Sequence, residues 1–247
     1  MNFYKNVIEH RGKLLVRGIH EGKEYKEKID YSPTLYAITQ EQTEFKTLSG
    51  HNLKSIKFGN ILKARDFKKN YNTDNAPIYG MDRYQYQYIS DEFPNEIEFS
   101  KEFIKIFTVD IECSAENGFP DVENPTEEIL AITVKNQSNK QIITWGTGEF
   151  KTDRTDVTYI RCKSEKSLIM EFMKFWIKNY PDIITGWNTK FFDIPYLMNR
   201  ICHIVDEKVI KRFSPWNLVE RESIVVRGRP QTPVSYTHLT LPTKLEV

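Results

Sequence analysis

Hydrophobic and polar positions change rhythm near the middle of this chain. Over residues 1–104 the apolar runs are short and broken by turn residues, the signature of short strands with one or two helices between them. LLVRGIHEGKEYKEKIDY holds two strand-like runs around Glu21-Gly22, which predicts a hairpin. In YSPTLYAIT, Pro33 closes one element and a β-rich run begins after it. Asn70 to Gly80 is rich in Asn, Asp, Pro and Gly and reads as a loop, and YQYQYIS alternates like a half-buried strand.

A second unit opens near Phe103. FIKIFTVDIE is an apolar, β-branched run that ends in two carboxylates, as expected of a buried strand. SAENGFPDVENPTEE reads as a loop, and ILAITVKN and QIITWG as two further strands. Ser164 is placed to cap a helix running to Lys178, with Leu168, Ile169, Phe172, Phe175 and Trp176 on its apolar face. DIITGW is a short strand, and FDIPYLMNRICHIV a second amphipathic helix. A three-stranded meander followed by α-β-α is how an RNase H-like sheet begins, so the chain as a whole reads as α+β with an α/β second unit.

Composition changes this picture little. Hydrophobic residues make up 39% and charged residues 28%, ordinary for a globular chain with a sizeable core. Net charge is +1, which argues against a protein that coats duplex DNA through a broad basic surface but leaves room for a site that takes a single strand. The basic stretch Lys57, Lys63, Arg65, Lys68 and Lys69 reads as a solvated face. Cys113, Cys162 and Cys202 lie far apart with no CxxC pair, which suggests neither zinc nor a disulfide framework and fits a reducing cytoplasm. The N-terminus carries no signal-like apolar run, and no run of 18 apolar residues occurs, so no membrane span is expected. The last residues, VSYTHLTLPTKLEV, break from the upstream pattern. VSYTHLTLPT matches a one-frame translation of a common transposon-derived sequencing adapter. Residues 234–247 are therefore expected to be a read-through tail, with the natural protein continuing differently.

Two carboxylate groupings carry the candidate chemistry. Asp110 and Glu112 lie two apart on a predicted strand and so share one face. Adjacent carboxylates repel unless a cation sits between them, and hard divalent ions take oxygen ligands. Alone, such a pair is also common on ordinary surfaces. The second grouping is GWNTKFFDIPY, in which Asn188, Phe192 and Asp193 form N-x-x-x-F-D. Taken alone, Asp193 could simply suit a helix N-terminus and Asn188 a turn.

FTVDIE followed by TGWNTKFFDIPYLMNR resembles the first and second exonuclease motifs of family B DNA polymerases, and among these the phage enzymes. YSPTLY, YGMDRYQYQYISDEF, GFPD and KRFSP resemble further segments of those polymerases in the same order, over residues 1–231. The resemblance implies a polymerase N-terminal domain over 1–104 and an incomplete RNase H-like (DnaQ-like) 3′→5′ exonuclease domain over 105–233. Asp110, Glu112 and Asp193 then match the carboxylates that hold two Mg²⁺ ions (or Mn²⁺) and serve catalysis. Asn188 and Phe192 match residues beside the terminal nucleotide, and Phe119 an aromatic against the last bases of the strand, although as a loop hydrophobe it could equally cover the sheet edge. The implied partners are the 3′ end of single-stranded DNA and primer-template DNA, in the cytoplasm of an infected bacterium, with a replication clamp engaging a C-terminal region not in this sequence. The family's third motif, Tyr-x-x-x-Asp, does not occur between Asp193 and Val247, so these 247 residues are expected to be inactive by themselves. The N-terminal domain of the family lies against the exonuclease and contacts template. It contains an RNA-binding-like fold, although no RNP-type aromatic signature is visible here. The competing readings are a stand-alone 3′→5′ exonuclease and a non-catalytic nucleic-acid-binding module.

Overall fold

The computed structural model describes residues 1–73 and 77–219, together with the backbone of two strands at 221–226 and 229–236. The chain divides into two compact units, Met1–Ser100 and Lys101–Val247.

In the first unit β1 (Phe3–His10), β2 (Lys13–His20) and β3 (Lys23–Ile29) form an antiparallel meander. Both connections are two-residue turns with positive φ at each position: 51° and 76° at Arg11-Gly12, 50° and 77° at Glu21-Gly22. That backbone matches the twist of the flanking strands, which is why the predicted hairpin forms where Gly follows a polar residue. β4 (Thr34–Ile38) pairs with β5 (Leu53–Lys57). The helix α1 (Ile61–Thr73) follows, then the short β6 (Ile78–Tyr79) on the other side of β4, and α2 (Tyr84–Glu92).

Two expectations are corrected here. YQYQYIS is helical, within α2, and not a strand. Its tyrosines alternate in sequence, but Tyr84 and Tyr88 are buried while Tyr86 is half exposed, the division that a spacing of four on a helix produces. Gln87 on the same helix donates to the Thr34 carbonyl at 2.7 Å and accepts from the Thr34 amide at 3.0 Å, tying α2 to β4. The segment Asn70–Gly80 is not wholly a loop: α1 runs to Thr73, and Ile78–Tyr79 adds a strand to β4, while 74–76 lie outside the described residues. The basic stretch mostly faces solvent along α1, where Arg65 pairs with Glu9 and Lys68 with Asp82.

The second unit is built on a five-stranded sheet in the order β10-β9-β8-β7-β11. β7 (Ile106–Cys113), β8 (Ile129–Asn136) and β9 (Ile142–Gly146) form the predicted antiparallel meander. β10 (Val157–Arg161), which sequence patterning did not pick out, adds in parallel to β9 as one edge. The helix α3 (Glu165–Asn179) then leads to β11 (Ile183–Thr185), parallel to β7, and on to α4 (Asp193–Ile204). This is an RNase H-like arrangement, as expected. A short helix, α5 (Glu207–Ile210), precedes the antiparallel ribbon of β12 (Arg221–Val226) and β13 (Arg229–Tyr236). Of the expected tail, residues 234–236 fall in β13 and 237–247 lie outside the described residues.

Ser164 caps α3 as expected: its hydroxyl accepts from the Ser167 amide at 3.3 Å, and the Ser167 hydroxyl accepts from the Ser164 amide at 3.1 Å. The buried side of α3 (Leu168, Ile169, Phe172, Met173 and Trp176) joins Phe107, Val109 and Ile111 of β7 and Leu197, Met198 and Ile201 of α4 in one core. Removing each such large apolar side chain from water stabilises the fold by roughly 1.5–3 kcal/mol. With Phe107, Val109 and Ile111 turned into this core, the alternation of a strand turns Asp110 and Glu112 outward.

Candidate active site

Asp110 and Glu112 are both exposed and lie on the same face of β7. β11 pairs with β7 only as far as Thr185 opposite Thr108. Beyond that point α4 arrives instead of a strand. Asp193, the first residue of α4, is 3% exposed, and its Oδ1 accepts a hydrogen bond from the Ile111 amide at 3.1 Å. One carboxylate from a helix thus meets the strand midway between two others.

Burial pushes the Asp193 carboxyl above its ordinary range, and the negative charges of Asp110 and Glu112 push it further. Hydrogen bonds from the Ile111 amide and from its own amide act in the opposite direction. Among the described residues no lysine or arginine forms an ion pair with any of the three. Among the described residues, too, no three Asp, Glu, His or Cys side chains converge closely enough to enclose an ion. The donor set nevertheless suits a hard divalent cation: it is all oxygen, anionic and uncompensated. Cys113, next along β7, is no competing nucleophile. Burial, followed by the charges of Glu165, Asp193 and Glu112, pushes its thiol up to about 12.

The turn from β11 to α4 packs closely against β7. A Cβ at Gly186 would stand 2.0 Å from Thr189 Oγ1 and 2.6 Å from the Val109 carbonyl oxygen, so only glycine fits. Asn188 adopts a left-handed backbone, φ 55°, and its carbonyl accepts from the amides of Phe191 and Phe192, both at 2.9 Å. This is the turn-forming role that the sequence left open for it, and its side chain is exposed. Thr189 is 7% exposed, and its hydroxyl has no hydrogen-bond partner.

Phe119 sits in the connection between β7 and β8, 86% exposed. It does not fill the core. Its ring rests 5.7 Å from that of Phe192, which in turn stacks on Tyr196 at 5.5 Å. Sequence reasoning did not single out Trp187, 94% exposed in the turn before α4, or Phe191, half exposed with the Lys190 ammonium 5.7 Å over its ring. It also missed the buried pair Glu165–Arg200. An exposed Trp within a polar turn was the signal available for the first. The pair left no local signal, because its members lie 35 residues apart on different helices.

Residues 51–231 match the family described as DNA polymerase family B, exonuclease domain. The chain is 30% identical over 248 aligned positions to the DNA-directed DNA polymerase of Enterobacteria phage T4, covering 90% of this chain and 28% of that protein. It is 29% identical to the DNA-directed DNA polymerase of Escherichia phage RB69, over 86% of this chain and 27% of that one. It is 32% identical to the DNA polymerase delta catalytic subunit of Dictyostelium discoideum, over 51% of this chain and 13% of that protein. The chain therefore spans less than a third of the length of these relatives.

Proposed function

The chain belongs to the family B DNA polymerases through their exonuclease domain, and from this we propose that it is part of a proofreading DNA polymerase whose exonuclease removes nucleotides from a DNA 3′ end. Residues 105–233 then belong to the nuclease and residues 1–104 to the polymerase's N-terminal domain. The observation that carries the nuclease reading is the hydrogen bond that seats buried Asp193 of α4 on the Ile111 amide, between Asp110 and Glu112 of β7, with no lysine or arginine ion-paired to any of the three among the described residues.

In this reading Asp110, Glu112 and Asp193 would be the residues that hold two Mg²⁺ or Mn²⁺ ions. When bound, such ions activate water and stabilise charge on the phosphodiester oxygens. The protein's own residues supply position. Asp193 is fixed by the Ile111 amide, and Asp110 and Glu112 by their ladder positions opposite Thr133 and Ala131. Phe119, braced by Phe192, offers a face on which any terminal base can stack, which suits an activity that must accept all four. Asn188 lies at the turn beside the carboxylates, where its exposed amide can reach the sugar or base of the last nucleotide.

These 247 residues should bind divalent ions and the 3′ end of a DNA strand through Asp110, Glu112 and Asp193. The test is a calorimetric titration of Mn²⁺ into the chain, with Asp110→Asn and Asp193→Asn alongside, and a parallel assay with a labelled single strand. Binding that disappears in both variants supports the reading. Binding that neither variant weakens sinks it.

A further inference from the structure

The connection between β7 and β8, residues 114–128, is an irregular stretch bolted down by side chains. Its base is closed where the Ser114 amide donates to the Glu128 carbonyl at 2.8 Å, and it is braced internally by Asn117 Nδ2 on Glu127 Oε1 at 2.9 Å. The hydrogen bonds it accepts from side chains outside it come from a single face of α4. Tyr196 donates its hydroxyl to the Glu127 carbonyl at 2.6 Å, and Asn199 Nδ2 to the Val122 carbonyl at 2.7 Å. One terminal nitrogen of Arg200 donates to the carbonyls of Pro125 and Thr126, both at 2.8 Å. Positions 196, 199 and 200 share a helix face, so the grip comes from one stripe of side chains.

The Arg200 guanidinium is itself locked. Its Nε and other terminal nitrogen donate to the two oxygens of Glu165, each at 2.8 Å, and Glu165 Oε1 also accepts from the Ile129 amide at 2.8 Å, where β8 begins. Both side chains are 8% exposed. A planar fork can hold a carboxylate and two carbonyls at once; a lysine ammonium cannot. Phe119, by contrast, is held by one ring alone among the described aromatic side chains. Gly118 beside it has a φ of 116° and open space around it, and the ring of Phe119 touches only Phe192 among the described aromatic neighbours. The Phe119 ring thus rests on Phe192, the residue before α4, and its backbone runs three residues on into the stretch that α4 grips from Val122. The first residue of that same helix is Asp193.

We propose that Arg200 is a positioning residue that fixes the 114–128 strap, and through it sets Phe119 at the distance from the carboxylates at which the 3′-terminal bases of a single DNA strand stack. The proposal rests on the nuclease reading above.

The test is a double-mutant cycle on the 247-residue chain. Affinity for a single strand carrying 2-aminopurine at its 3′ end is read by fluorescence in Ca²⁺, for the unaltered chain, Arg200→Lys, Phe119→Ala and the double variant. Each single variant should bind about ten-fold more weakly, within the range of one lost stacking contact, and the double variant no worse than either. Losses that multiply would show Arg200 acting elsewhere and overturn the proposal, as would full affinity in Arg200→Lys. Tyr196→Phe removes one hydroxyl at little cost to packing and carries the same cycle should Arg200→Lys not fold. It should give a smaller loss that also vanishes in the Phe119→Ala background, and a loss that persists there overturns the proposal. Hydrogen exchange at strap amides should rise in both variants while α3 stays protected; an unchanged strap overturns it too. If the unaltered chain shows no preference for a 3′ end over a 5′ end, the nuclease reading falls and this proposal falls with it. A 3′ preference that Arg200→Lys leaves intact removes the proposal alone.

Discussion

Gly186→Ala is a one-methyl perturbation whose consequence can be worked from the packing. Gly186 has no left-handed φ, so space is the whole issue. The added carbon would stand 2.0 Å from Thr189 Oγ1 and 2.6 Å from the Val109 carbonyl. Rotating the threonine could relieve the first contact, but the second is backbone, one residue before Asp110, and can yield only by moving β7 or the turn. Overpacking of this kind costs about 1–3 kcal/mol. At roughly 2–4 °C per kcal/mol for a unit of this size, thermal unfolding should come about 2–12 °C earlier. Because the displaced carbonyl adjoins Asp110, Mn²⁺ affinity should fall as well. The double variant Gly186→Ala/Thr189→Ala removes the side-chain overlap and leaves the backbone one, so it should recover only part of the stability and little of the ion affinity. Calorimetry of unfolding and of Mn²⁺ binding measures both. A Gly186→Ala chain with the original midpoint and the original affinity would refute the reasoning.

Three further outcomes follow from the fold. Ser164→Ala removes the cap of α3 and should lower stability by about 1 kcal/mol in urea unfolding. Phe172→Ala empties a fully buried site among Trp145, Trp176 and Phe213 and should cost about 3–5 kcal/mol, seen as a large drop in the urea midpoint. Burial pushes the Tyr88 hydroxyl up to about 12 from its ordinary 10, so the folded state favours the neutral phenol. That contribution is complete below pH 10 and is lost as pH rises from 10 through 12. Tyr88→Phe should therefore flatten the alkaline fall of stability in this window, and an unchanged slope would contradict the assignment.

Much of the second unit was legible in the sequence because its elements obey simple periods. FTVDIE alternates with period two, and the α3 stripe repeats at helical spacing, so both strand and helix lie where expected. YQYQYIS shows the limit of that logic. Three tyrosines at alternate positions satisfy a strand template, and only the need to bury Tyr84 and Tyr88 together, with Gln87 on Thr34, selects the helix. β10 escaped notice because VTYIR is a short edge strand, defined by its partner Ile142–Gly146 more than by its own pattern. At the site, the DxE pair and the FD of GWNTKFFD were visible as residue types. The approach of Asp193 to the strand between them depends on β11 stopping at Thr185, a length that no local pattern encodes. The grip of Arg200 on Pro125 and Thr126 joins residues 74 and 75 positions apart, where sequence periodicity is silent.

The hydrogen bond from the Ile111 amide to Asp193 gives the site a built-in spectroscopic reporter. That proton is buried in a strand, belongs to no ligand, and points at one oxygen of the carboxylate proposed to hold the ions. A cation brought to the other oxygen draws electron density away from the acceptor. The Ile111 amide resonance should therefore move upfield as the site fills, while those of Val109 and Phe107 hold still. In a ¹⁵N-labelled sample a single cross-peak would report occupancy without a substrate, a product or a turnover.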